Sequence, residues 1–228
     1  IMATKQRFIV IGLGAFGREI AQVLKDNEAE LIVMDSNSTV VNQLKQAGFE
    51  FTVQIDNTDP IAMANFIHPD DIVILSLGEA FEANLLTIEI LKELGVKGIY
   101  ARATKDIQVK ILERMNISQI LYPEKQEGKR FALQLLNKDV KFLDELALDV
   151  FISEIEIPEK FLGKTIPDLK IRTRFGVNII GIKHKVLSQD GKQITKMDPV
   201  GFEKIILTKD HSLVVIGKEE DIKNLASE

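Results

Sequence analysis

Six short apolar runs punctuate the first two-thirds of the chain, and longer stretches with helical spacing separate them. The runs are 8–11 (FIVI), 31–34 (LIVM), 51–54 (FTVQ), 72–75 (IVIL), 98–101 (GIYA) and 119–121 (QIL). Four of the six, 8–11, 31–34, 72–75 and 98–101, hold no polar residue but the one tyrosine and include β-branched residues, as a strand must when helices cover both of its faces. Between them, residues 16–26 put Phe16, Ile20, Val23 and Leu24 on one helical face. Residues 82–94 do the same with Leu85, Ile88, Leu91 and Leu94. Asp59 before Pro60 sets a capping side chain ahead of a proline at the first helical position, so a helix starts there. Strand and helix in alternation predict a parallel sheet with crossover helices.

The turn after the first run carries the strongest chemical signal, the string GLGAFG with glycines at Gly12, Gly14 and Gly17. In such a loop the first glycine permits the tight turn and the second lets backbone approach a phosphate. The third lets the new helix pack on its strand, and the helix amides face the anion. Asp35 closes the second run 18 residues past Gly17. That is close to the interval of about 20 at which an acid grips a ribose hydroxyl. A carboxylate there also repels a 2′-phosphate, which disfavours NADP. The first lobe is therefore Rossmann-like and binds an adenine nucleotide. No GxxxxGK[ST] string occurs, which excludes a P-loop kinase. No catalytic constellation with a proton donor accompanies the loop, so consumption of the nucleotide is not expected. An NAD-dependent oxidoreductase is the alternative from a different class.

The texture changes after Tyr122. Residues 124–136 read as one more helix, with Phe131, Leu135 and Leu136 apolar, and 137–149 read as an irregular connector rich in Leu and Phe. A free linker would be polar, so this connector is expected to be buried against another surface, a second subunit being one choice, in which case crosslinks at Phe142 or Leu146 should couple chains. From Phe151 onward come short strands around Ile152, Ile155 and Ile157, at 177–182 and at 212–217. A helical turn is predicted at 165–169, an Asp-Gly hairpin turn at 189–192 and a terminal helix at 219–225. The predicted organisation is a nucleotide-binding lobe at 1–136, a crossover connector at 137–150 and a smaller α+β domain at 151–228. A module of about 75–80 residues is small for a lone core, which favours pairing with a copy of itself.

Composition narrows the class. The formal charge of −5 and an isoelectric point near 5.4 argue against nucleic acid as a partner. No apolar run is long enough to cross a bilayer, and residues 8–13 enter a glycine turn without a cleavage site, so no export signal is expected. With no cysteine, disulfides and thiolate metal sites are excluded. His68, His184 and His211 lack zinc spacing and read as ordinary surface or strand residues. Cytoplasmic location follows, with any membrane role exercised through a partner.

Taken in order, 8–17 (FIVIGLGAFG), 33–35 (VMD), 56–60 (DNTDP), 91–94 (LKEL), 122–125 (YPEK) with Gly128, and 182–184 (IKH) resemble the RCK regulatory subunits, TrkA-N plus TrkA-C, of Ktr/Trk-type potassium transporters. The resemblance covers nearly the whole chain. It implies paired subunits assembled into a ring, usually of eight, beneath a membrane-embedded potassium-conducting subunit, with ATP and ADP competing for the glycine-loop site. A sensor ring of another potassium channel or efflux system is also compatible. By matching position it implies Gly12, Gly14, Ala15, Phe16 and Gly17 at the phosphates and Asp35 at the ribose. It further implies Asp56, Asn57 and Thr58 on the base side, Gly78 after the fourth strand and Arg102 after the fifth. Glu124 falls where the family places a carboxylate that helps hold Mg²⁺ or another divalent cation.

Two further points come from the resemblance. Many ATP-preferring members carry Arg at the position of Ala15. Loss of one charge-assisted contact costs about 1.5–3 kcal/mol, roughly ten- to a hundredfold in affinity. That weakens discrimination of ATP from ADP and raises NAD(H) and AMP as ligands. Residues 165–180 look like the segment that binds cyclic di-AMP in some Ktr C-terminal domains, with Arg172, Asn178 and Ile179 at the matching positions and Pro167 where isoleucine is common. An exposed basic turn before a core strand is the alternative reading of the same residues.

Overall fold

The structure, a computed structural model, describes residues 6–228 except Glu79, Gln189 and Gly191. It divides into two compact units between Lys125 and Gln126. In the first, β1 (Arg7–Ile11), α1 (Ala15–Asp26), β2 (Glu30–Asp35), α2 (Ser38–Gln46), β3 (Phe51–Gln54) and α3 (Pro60–Ala64) form one half. The other half is β4 (Ile72–Leu75), α4 (Phe81–Glu93), β5 (Gly98–Arg102), α5 (Asp106–Arg114), β6 (Gln119–Leu121) and the start of α6 (Pro123–Leu136). All six predicted strands form, and they pair in parallel in the order β3-β2-β1-β4-β5-β6. The order reverses between β1 and β4, and ligands of open parallel sheets bind at the carboxyl ends of strands at such a switch point.

Alternate residues of a strand face opposite sides, and here both sides are filled. Ile9 and Ile11 join Met34, Val73, Leu75, Ile88 and Leu91 on one face. Val10 joins Leu13, Ala21, Val33, Leu44 and Ile74 on the other. Each such aliphatic side chain contributes about 1.5–3 kcal/mol on burial. Polar signals set the helix starts: Asn37 accepts from the Thr39 amide at 2.9 Å, and the Asp59 carboxylate accepts from the amides of Ile61 (2.9 Å) and Ala62 (3.1 Å). At the amino ends of β1 and β4, Arg7 grips Asp71 with two bonds of 2.8 Å. Asp71 also accepts from the His68 amide at 2.7 Å.

The second unit holds the rest of α6, then β7 (Val140–Ala147), β8 (Val150–Glu156), α7 (Ile166–Leu169), α8 (Ile171–Phe175), β9 (Asn178–Leu187), β10 (Gln193–Asp198), β11 (His211–Lys218) and α9 (Glu219–Ala226). Its strands form an antiparallel sheet, β10-β9-β11-β8-β7. Residues 137–149, irregular by sequence, supply β7, which is the first correction. The second is that Phe142 does not await another subunit: it is 1% exposed in this unit's own core, edge-on to Phe151 at 5.1 Å between ring centroids. Leu146 does stay exposed. The hairpin turn predicted at 189–192 falls partly on Gln189 and Gly191, outside the described residues; its flanking strands pair antiparallel, with Gln193 opposite Leu187.

Candidate functional site

The glycine loop joins β1 to α1 at the switch point, and its three glycines differ in what they need. Gly12 has φ +86°, and a Cβ there would meet a Leu77 methyl at 2.8 Å. Its amide donates to the Met34 carbonyl at 2.9 Å, which fixes the turn against β2. A Cβ on Gly17 would stand 2.1 Å from the Gly12 carbonyl oxygen. Gly14 is unlike both: its φ is −67°, and a Cβ there would meet nothing within 4 Å. The protein's own packing thus explains Gly12 and Gly17 but not Gly14, which leaves open space over the first turn of α1.

That turn also lacks the device seen at α2 and α3. No side chain caps α1 and its first turn holds no acid, so among the described side chains none neutralises the positive end of the helix. Asp35, ending β2, accepts from the Leu13 amide at 2.8 Å through one oxygen and from the Asn37 amide at 2.9 Å through the other. Each carboxylate oxygen has a second lone pair, so Asp35 is oriented by two amides and retains capacity for hydroxyl donors. Arg18 donates from Nε to the Leu13 carbonyl and from a terminal nitrogen to Gln43, both at 2.8 Å. It is a brace on the loop, a role its sequence position did not suggest.

Around the carboxyl ends of β4 and β5, Phe16, Gly78, Arg102 and Glu124 come together. The Arg102 guanidinium carbon lies 5.3 Å from the Phe16 ring centroid, and a Cβ on Gly78 would be 3.5 Å from Arg102 Nη1. Arg102 also forms an ion pair with Glu124 in the first turn of α6. Its Nε is buried without a hydrogen-bond partner, and Asn84, missed by sequence reasoning, donates to its backbone carbonyl at 3.2 Å. Ala15 is exposed and brings no charge.

At the end of β3, Asp56 accepts from the amide (2.9 Å) and hydroxyl (2.6 Å) of Thr58. Those bonds hold its carboxyl below the usual range. Asn57 departs from the expected grouping: it is 7% exposed and its amide nitrogen donates to Thr87 on α4 at 2.7 Å, so this side chain serves the core. No cluster of three or more His, Cys, Asp or Glu suited to a metal occurs among the described residues; Glu124 is a single carboxylate.

In the second unit Arg172, Asn178 and Ile179 line one concavity of about 480 Å³ with Ile166, Lys170 and Phe202. Lys170, at φ +50°, joins α7 to α8, and Gly176, at φ +70°, ends α8. These two bends bring Arg172 and the start of β9 to one rim. His184 and His211, distant in sequence, face each other across β9 and β11 with ring centroids 6.2 Å apart.

A doubly wound parallel lobe with a glycine turn at its switch point, joined to a small antiparallel module, defines a two-unit chain whose first unit is Rossmann-like. The chain belongs to the TrkA-N and TrkA-C domain family, matching the TrkA-N domain over residues 8–123 and the TrkA-C domain over 150–228. It is 33% identical over 219 residues to Ktr system potassium uptake protein C of Bacillus subtilis (strain 168), covering 96% of this chain and 95% of the relative. Among solved structures, the GsuK RCK domain superposes with a TM-score of 0.65 at 18% identity, over all of this chain and 49% of that one. The GsuK channel bound to NAD superposes with a TM-score of 0.62 at 18% identity, over 99% of this chain and 39% of that one. The chain therefore spans about half or less of those GsuK chains. Among the described residues no helix is long and apolar enough to cross a membrane.

Proposed function

We propose that this chain is a regulatory subunit of a potassium-uptake system, and that an adenine nucleotide on its glycine loop controls ion flux through a membrane-embedded partner. The observation that carries the reading is Gly14, whose missing side chain answers to no atom of the protein. The potassium-uptake name of the Bacillus relative and the NAD-bound GsuK neighbour support it. The diphosphate lies over Gly14 and the amides of Ala15 and Phe16, and Asp35 takes the ribose hydroxyls. Asp56 and Thr58 flank the base. With a polyphosphate and Mg²⁺ bound, Glu124 supplies one carboxylate to the cation, whose other ligands are phosphate and water oxygens.

Ligand binding shifts a conformational equilibrium only by its difference in affinity for the two states, so the activating nucleotide binds the transport-competent assembly more tightly. The assembly is a ring of copies, in which the exposed Phe131, Leu135, Leu136 and Leu148 find apolar cover. The site binds ATP, ADP, AMP or NAD(H) without turning them over. Calorimetric titration checks this: Asp35→Ala should weaken every adenine nucleotide at least tenfold, because ribose anchor and loop brace go together. Undiminished binding, or steady oxidation of a substrate with NAD, would refute the reading.

In the second unit the same proposal assigns the Arg172 concavity to cyclic di-AMP as an inhibitory ligand. The guanidinium pairs with a phosphate, Asn178 reads the base and Ile179 packs on it. Arg172 is exposed and makes no ion pair among the described residues, so Arg172→Ala should fold normally. It should lower affinity for cyclic di-AMP roughly ten- to a hundredfold and leave adenine-nucleotide binding at the first unit unchanged. Equal cyclic di-AMP affinity in both proteins would remove this second site.

A further inference from the structure

We infer that the Arg102–Glu124 ion pair is an internal lock on the nucleotide site: Arg102 supplies the phosphate charge that Ala15 lacks, and Glu124 withholds it until a polyphosphate takes its place. The inference rests on the proposed nucleotide site and adds what sets its selectivity. Among the described residues, two arginines stand near the loop. Arg18 is spent, with bonds to the Leu13 carbonyl and to Gln43. Arg102 is the other, and it reaches the loop itself, stacked at 5.3 Å on Phe16 and lying beside Gly78.

Arg102 is also incompletely satisfied. A guanidinium carries five N–H donors. One terminal nitrogen holds Glu124, while Nε is buried and has no acceptor. A buried donor without a partner is costly, and an anionic oxygen arriving over the loop would satisfy it. Its side chain is 18% exposed whereas that of Glu124 is 50% exposed. The better-solvated carboxylate is the partner that leaves at the lower cost, since water re-solvates it.

Glu124 therefore opposes binding in two ways. It competes for the guanidinium, and its own negative charge at the rim repels a polyphosphate. Both effects grow with the number of phosphate charges, so the lock tunes the ratio of ATP to AMP affinity more than affinity for adenosine as such. Exchange of partners also frees the Glu124 carboxylate in the first turn of α6.

The test is calorimetric titration of ATP and AMP into the full chain with EDTA present. The proteins are wild type, Glu124→Gln, Arg102→Gln and the double variant, with thermal melts recorded for each. Glu124→Gln should bind ATP roughly three- to tenfold more tightly than wild type, with a smaller gain for AMP. Arg102→Gln should lose roughly ten- to a hundredfold for ATP and much less for AMP, and the double variant should match it within about twofold. Glu124 is half exposed, so Glu124→Gln folds whatever becomes of Arg102→Gln, and its sign decides. Weaker or unchanged ATP binding in Glu124→Gln overturns the lock. So does an ATP-to-AMP ratio that survives in a folded Arg102→Gln. If wild type binds neither nucleotide, the underlying site reading falls instead, a result distinct from either of these.

Discussion

Gly17→Ala is expected to cost the first unit about 3 kcal/mol or more, while Gly14→Ala, three residues away, keeps the fold and loses the nucleotide. The asymmetry follows from what each new methyl meets. At Gly17 it would stand 2.1 Å from the Gly12 carbonyl oxygen and 3.1 Å from the Ser76 side chain. Neither neighbour has room to give. Gly12 is fixed by a φ of +86° and by its amide bond to Met34, and Ser76 by its own amide bond of 2.8 Å to the Ile11 carbonyl. The clash is therefore of the new methyl on fixed backbone, and α1 has to lift off the sheet to relieve it. At Gly14 the backbone already has angles that any residue adopts and the methyl enters open space. Stability should change by no more than about 1 kcal/mol. A diphosphate that uses that space is then obstructed, and adenine-nucleotide affinity should fall by at least tenfold, about 1.4 kcal/mol. Urea unfolding followed by circular dichroism, with titration on the folded variants, reads both. Full nucleotide affinity in Gly14→Ala would mean that no phosphate lies over that residue.

The parallel sheet was legible because its central strands β1, β2 and β4 are largely buried: four apolar residues in a row, bounded by turn signals, read as a strand covered on both faces. The site loop was legible from its glycine spacing, although only Gly17 answers to a residue close in sequence, the Gly12 carbonyl, while Gly12 is crowded by Leu77, just past β4. Legibility failed where a role depends on distant partners. The resemblance groups Asp56, Asn57 and Thr58 on the base side, and Asp56 with Thr58 are joined in one turn. Asn57 between them is drawn inward by Thr87, 30 residues on. Arg18 follows the loop on α1, and only the close return of the loop brings the Leu13 carbonyl within its reach. The segment 137–149 lost its strand signature for a different cause. β7 shifts register against β8 between Phe142 and Asp144 and again between Glu145 and Ala147. Two irregularities in eight residues break the alternation by which strands are recognised.

Asp71→Ala should be the most destabilising polar substitution in the first unit, and it should do so without touching the nucleotide site. Asp71 is 3% exposed, accepts two bonds of 2.8 Å from Arg7 and a third of 2.7 Å from the His68 amide. Removing the carboxylate leaves that amide and a largely buried guanidinium without their acceptor, a loss of about 3–5 kcal/mol for buried pairs. Arg7 keeps 21% exposure and a bond of 3.0 Å to the Phe66 carbonyl, which puts the expectation at the lower end, near 3 kcal/mol. The melting temperature should fall by on the order of 10 °C. The cost arises from stranding a charge, so an apolar replacement of both partners, Arg7→Met with Asp71→Leu, should recover much of it. Arg7 and Asp71 lie at the amino ends of β1 and β4, whereas the glycine loop and Ser76–Gly78 follow their carboxyl ends. At a temperature where Asp71→Ala is folded, its nucleotide affinity should thus equal that of the wild type. A double variant as unstable as the single one would show that the pair contributes through packing and not through charge compensation.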